Sequence, residues 1–298
     1  PIRWAIKDFL VTGGITLLAG EQGLGKSTMA AHIAALFSIG GVWPPTQKKI
    51  KQGNVLWLTA EEKPGTEIYA RIILAGGVME NIFFLSPTLQ VNGKSRMIDF
   101  SKDRGYLKNA LSKTGEVEIL IIDPISAFHG EQDSNSNADV RAQVTMLEQL
   151  AQETSIVVLA LHHVLVKGSY GSFMADVMGA SAYTSVPRLV LGLTSEGERY
   201  YMGPGKANIS PTDLTVCYTM TYKKFDAEGD TKYGVLTLDN GYHNEGIDKI
   251  RSRVQAARAL KKKPQLSPKV GKKLIKEVFE ASDEPIPKRV ALKLAKKK

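Results

Sequence analysis

The residues Gly20, Glu21, Gln22, Gly23, Leu24, Gly25, Lys26 and Ser27 carry the spacing Gly-x-x-x-x-Gly-Lys-Ser. An apolar strand-like stretch, Ile15 to Ala19, precedes them, and a helix-like stretch from Thr28 to Ser38 follows. Glycines let the chain curl so that successive backbone N–H groups point inward at phosphate oxygens, and the helix behind adds the positive end of its dipole. In such a loop Lys26 reaches the β- and γ-phosphates and the Ser27 hydroxyl is a ligand for Mg2+. Thr28 completes the cradle. The pattern implies binding of a nucleoside triphosphate with Mg2+.

Two carboxylate-bearing segments could supply the rest of the chemistry. Glu118 to Ile122 is an apolar run that ends in Asp123 and Pro124. A buried strand ending in a carboxylate sets that charge at the C-terminal edge of a sheet, where it can hold Mg2+ through the water shell. Asn54 to Ala60 likewise ends in Glu61 and Glu62. If this strand neighbours the strand of the loop, one of the two carboxylates stands beside the γ-phosphate and can deprotonate the attacking water. The bland alternative is a solvated Glu-Glu-Lys-Pro turn capping the helix from Pro64, whose N-terminus favours negative charge.

The elements that must position these residues alternate. Strands are expected at 15–20, 54–60, 82–86, 118–123, 156–162 and 188–193, and helices at 26–37, 64–75, 103–112 and 139–153. This is the signature of a mostly parallel central sheet wrapped by helices, an α/β fold. Beyond residue 194 the runs 200–202, 214–225 and 233–238 are broken by Gly, Pro and Asp, which predicts C-terminal antiparallel strands closing the sheet. With 298 residues and 43% hydrophobic content, the chain can bury one large core and a small appendage. A single cysteine excludes an intrachain disulfide and a cysteine-rich zinc site. No leader and no long apolar span is evident, so a cytoplasmic protein without a membrane partner is expected.

The order of Gly20-x4-Gly-Lys-Ser, then Leu58-Thr-Ala-Glu-Glu62, Ile-Ile-Asp-Pro124 and Ala160-Leu-His-His163 resembles the RecA/DnaB-like P-loop ATPases. Within them it is most similar to the RepA-type replicative helicases of plasmids and phages. The resemblance spans roughly residues 1–240. It implies a RecA-like core assembled as a homo-oligomer, usually a hexameric ring, with ATP at each interface and single-stranded DNA in the channel. It implies Glu61 as general base, the His162–His163 pair as a γ-phosphate sensor, and Arg188 as an arginine finger to the neighbour. Lys206 matches a second basic residue of that interface, and Arg71 a residue that packs on adenine. The segment 163–167 is one residue longer than the family pattern, and no N-terminal DNA-handling domain of the DnaB type is seen. Read from the residues alone, the histidines could be a polar strand edge and Arg188 an edge charge.

Charge is uneven. Lys249 to Lys298 hold 17 Lys/Arg against 4 Asp/Glu, while residues 1–248 hold 22 against 26. A basic helical module from residue 248, either a partial helix-turn-helix or a loose extension, would be drawn to phosphate backbones. The domains expected are thus an ATPase core over 1–247 and a basic tail over 248–298. A loop over 167–172, with Lys167 and Tyr170 among small residues, has the composition to contact single-stranded DNA, and the acidic loop 129–137 less so. The reading is an ATPase that translocates on single-stranded DNA, a replicative helicase served by a replication initiator or primase. The alternative is a non-helicase RecA-like ATPase, a recombination mediator or a KaiC-like signalling protein. A guanine-reading Asn-Lys-x-Asp motif is missing, and no nucleoside-kinase lid can be located.

Overall fold

The computed structural model describes residues 2–128, 136–164, 172–177, 181–226 and 230–261. The chain divides into two compact units, Pro1–Val254 and Gln255–Lys298, and the first carries the whole sheet. Its strands are β1 (Gly14–Gly20), β2 (Asn54–Thr59), β3 (Ile82–Leu85), β4 (Val117–Asp123), β5 (Val157–His163), β6 (Leu189–Glu196), β7 (Arg199–Ala207), β8 (Val216–Lys224) and β9 (Lys232–Leu238). They form one sheet in the order β9-β8-β7-β6-β1-β5-β4-β2-β3. The six from β6 to β3 in that order are parallel, and β6 to β9 are joined as antiparallel neighbours.

Both faces of the parallel strands are covered, so each reads as a continuous apolar run rather than an alternating one. The period of two still sorts the side chains. Val55, Trp57, Ile119, Ile121, Val157, Leu159 and Leu161 pack on one face with helix α1 (Lys26–Ile39) and helix α2 (Tyr69–Leu74). Leu56, Leu58, Leu120, Ile122, Val158 and Ala160 pack on the other with α3 (Arg104–Thr114) and α4 (Asn137–Thr154). Two short helices, α5 (Phe173–Asp176) and α6 (Ala182–Ser185), and the longer α7 (Ile247–Lys261) follow.

The parallel sheet, the four helices and the antiparallel closure agree with the sequence reading. One expectation is overturned: β2 does not neighbour β1, because β5 and β4 lie between them. Its carboxylates still reach the loop because all parallel strands end at the same edge and Glu61 lies beyond the strand end. Strand β7 also runs past Gly203-Pro204-Gly205, where a break was expected. A register irregularity against β6 accommodates the proline, and the Phe173 ring lies so close to Gly205 that a Cβ there would stand 2.5 Å from it. Small hairpins at Trp4–Ile6/Leu10–Val11, Val42–Trp43/Lys48–Lys49 and Thr88–Val91/Lys94–Met97 were not foreseen.

Candidate active site

The loop from Gly20 to Ser27 joins the end of β1 to the start of α1. Gly25 caps α1 in the left-handed region, φ 77°, which glycine adopts without a Cβ penalty. Lys26 is 7% exposed, and its Nζ donates to the carbonyls of Gly20 and Glu21 at 3.0 and 3.2 Å. Burial lowers its pKa, and the nearby Asp123 and Glu61 charges oppose that shift.

Asp123 ends β4 on the α1 side of the sheet, 2% exposed. Burial pushes its carboxyl up to about 7, against a hydrogen bond with Ser27, and the Glu62 and Glu61 charges push it further up. Its Oδ2 is buried and makes no hydrogen bond to the protein. A buried carboxylate beside a serine hydroxyl, with one oxygen unpaired, is a donor set that fits a hard divalent cation.

Thr59 Oγ1 accepts the backbone N–H groups of both Glu61 and Glu62 at 3.3 Å, turning the chain sharply at the end of β2. The two carboxylates then part. Glu62 forms a half-buried ion pair with Arg71 of α2; burial raises its pKa and Arg71 opposes the rise. Glu61 turns instead to His163, Oε1 to Nε2 3.3 Å. The two histidines at the end of β5 face opposite ways, as adjacent strand residues must. His163 lines the cleft, whereas His162 is 2% exposed with its ring against Tyr183, centroids 4.2 Å apart.

These groups surround one cleft of about 320 Å³ that includes Gln22, Gly23, Lys26, Ser27, Thr28, Glu61, Glu62, Arg71, Asp123 and His163. A family model described as an AAA domain matches residues 1–169, which span the loop, both carboxylate segments and the histidine pair. The chain belongs to this AAA-domain family. Among solved structures 525 chains match; one is titled the ATPase domain of G40P, with a TM-score of 0.51 and 12% identity, covering 70% of this chain and 82% of that one. No curated protein sequence matches. The fold of this AAA-family chain is therefore that of a RecA-like ATPase domain, with a mostly parallel sheet extended by antiparallel strands.

The AAA-family cleft also has a wall that sequence reasoning missed. Met220, Tyr222, Lys232, Tyr233 and Gly234, from β8 and β9, line it. The contact is close: a Cβ on Gly25 would stand 2.5 Å from Met220 Cε. Tyr69 of α2 meets Phe225 edge-on, centroids 5.6 Å apart. Nothing in the sequence signals that a hairpin some two hundred residues downstream folds over the loop.

Two sequence-chosen residues lie elsewhere. Arg188 is exposed just before β6, in a second cleft with Arg3, Gly14 and Glu148 at the N-terminal edge of the sheet. Leu189 pairs with Thr16 of β1, so Arg188 lies about five residues, or ~16 Å of strand rise, from the Gly20 end. Lys206 is on β7, its Nζ bound to backbone carbonyls of residues 184–187. The two loops considered for DNA contact fall largely outside the described residues, at 129–135 and 165–171, as does the tail from 262. Among the described residues no helix is long and apolar enough to cross a membrane.

Proposed function

We propose that this AAA-family ATPase is the motor of a RepA-type replicative helicase, a ring that couples ATP hydrolysis to movement on single-stranded DNA. The observation that carries the reading is the split between Arg188 and the loop. Lys26, Ser27, Asp123 and Glu61 line one cleft, while Arg188, which this reading makes the cation that stabilises charge on the γ-phosphoryl group, stands at the N-terminal edge of the sheet. A head-to-tail neighbour would bring the two together.

In this reading Lys26 and the loop N–H groups hold the phosphates, and Ser27 with Asp123 would hold Mg2+, which neutralises charge on the phosphate oxygens when bound. Glu61 orients and deprotonates the attacking water. Glu62 is less suited to that task because its charge is already matched by Arg71. His163, in contact with Glu61, is placed to register whether a γ-phosphate is present. Arg71 and Tyr222, which both line the cleft, offer flat groups for the nucleobase. The basic segment beyond residue 254 supplies attraction for the DNA backbone.

The test is the ATPase rate with and without single-stranded DNA, unwinding of a forked duplex, and the solution mass with ATP. DNA-stimulated hydrolysis, unwinding and a closed oligomer are expected. Stimulated hydrolysis without unwinding would replace the helicase by a recombination mediator, and hydrolysis indifferent to DNA by a signalling ATPase.

A further inference from the structure

The Nζ of Lys206 lies 2.7, 3.1 and 3.0 Å from the carbonyl oxygens of Thr184, Ser185 and Pro187. An ammonium group has three donors in a pyramid, and all three are matched here by carbonyls of one turn. Two of those carbonyls, of Thr184 and Ser185, are ones that the short helix α6 leaves without internal partners at its end, and the third belongs to Pro187 just beyond it. The turn ends at Pro187, and the next residue is Arg188. The other anchors of the segment belong to the body of the domain: Ala182 N–H donates to Asn137 Oδ1 at 2.8 Å, the Tyr183 ring lies on His162, and the Arg188 carbonyl accepts from Asn208 N–H at 3.1 Å.

We propose that Lys206 is a positioning residue that fixes the 184–187 turn from which Arg188 projects, and that it does not itself touch nucleotide. The proposal rests on the trans role of Arg188 given above. It departs from the expectation that Lys206 is a second interface cation, because a lysine that lets go of three carbonyls to reach a neighbour would leave them unpaired. The lowered pKa of Lys206, caused by its desolvation, agrees with an inward-facing ammonium. A planar guanidinium cannot reproduce the pyramid, so charge alone is not enough at this position.

The experiment measures kcat and KM for ATP on the full chain carrying Lys206→Met, Lys206→Arg, Arg188→Ala and the double change Arg188→Ala/Lys206→Met. Misplacing a reactive group by about 1 Å costs up to about a hundredfold in rate, so Lys206→Met and Lys206→Arg should both lose about tenfold to a hundredfold in kcat, with KM little changed. The double variant should be no slower than Arg188→Ala. Near-normal turnover in Lys206→Arg, or a double variant slower than Arg188→Ala by the full Lys206 factor, would overturn the proposal in favour of direct contact. Should Lys206→Met fail to bind a fluorescent ATP analogue, and so be misfolded, the Lys206→Arg comparison decides alone. Normal turnover in Arg188→Ala would instead refute the Arg188 reading on which the proposal stands.

Discussion

Glu61 Oε1 and His163 Nε2 stand 3.3 Å apart, joining the turn after β2 to the end of β5 across the cleft that holds Lys26. Two strands that are not neighbours in the sheet thereby place a carboxylate and an imidazole against one another. The same turn ties Glu62 to Arg71, so the two adjacent glutamates have different partners.

Glu61→Gln should therefore keep ATP binding and lower turnover by about 10²- to 10⁴-fold, the range for losing a general base. Glu62→Gln should weaken the Arg71 contact and leave most of the turnover. Steady-state hydrolysis beside equilibrium binding of a fluorescent ATP analogue checks both. Normal hydrolysis in Glu61→Gln together with loss in Glu62→Gln would move the base to Glu62.

What was legible in the sequence follows from which signals are local. The loop and Asp123 were readable because an apolar strand must deliver its last residue to the sheet edge. The two histidines had to face opposite sides, yet the uninterrupted run from Ile156 to Leu161 has no polar face to say which one meets the cleft. Adjacency of β2 to β1, which would bring Glu61 or Glu62 to the loop, does not hold, and the shared edge of the parallel strands brings both carboxylates to the cleft instead. Tyr222 and Lys232 were invisible because sequence does not record which loop a distant hairpin covers. The partners of Lys206 are backbone oxygens, which every residue has, so no pattern of side chains could have pointed to them.

Acid should destabilise the domain partly through His32 on α1. Both its ring nitrogens are buried without a hydrogen-bond partner, and burial lowers its pKa from 6.5 to about 4. The unfolded chain then binds the proton first, so stability is intact above about pH 6.5 and falls as the pH drops towards 4. The full span is worth on the order of 3 kcal/mol. Thermal melts of His32→Leu from neutral to acidic pH should show a shallower decline than the unmodified chain. Parallel curves would remove His32 from the account.

Removing residues 255–298 takes away 14 Lys/Arg and 4 Asp/Glu, turning a net charge of +9 into −1. Nonspecific DNA affinity should fall and its dependence on salt flatten, with the melting temperature of the core little changed. The position of the cut matters. A deletion from residue 249 would also remove Ile250, fully buried, and Arg251, which pairs with buried Asp176 at 2.7 Å and lies over the Phe173 ring at 5.1 Å. Breaking that pair costs about 3–5 kcal/mol, so the longer deletion should lower the melting temperature as well. An unchanged salt slope in the shorter deletion would show that the segment is not a nucleic-acid element.

The position of Arg188 at the edge away from the loop predicts a defect that can be shared between subunits. Losing a trans-acting arginine should cost about 10³ to 10⁵ in turnover with little loss of ATP affinity. Lys26→Ala should lose both, since it removes the cation at the phosphates. In a mixture, an Arg188→Ala subunit has a working loop and a Lys26→Ala subunit a working arginine. Any interface that pairs the first loop with the second arginine is complete, so mixing the two inactive proteins should restore part of the hydrolysis. An arginine acting within its own subunit allows no such interface, and the mixture would stay at the sum of the separate activities. A monomer with full activity would refute the arrangement outright, because no neighbour would be present to supply the charge.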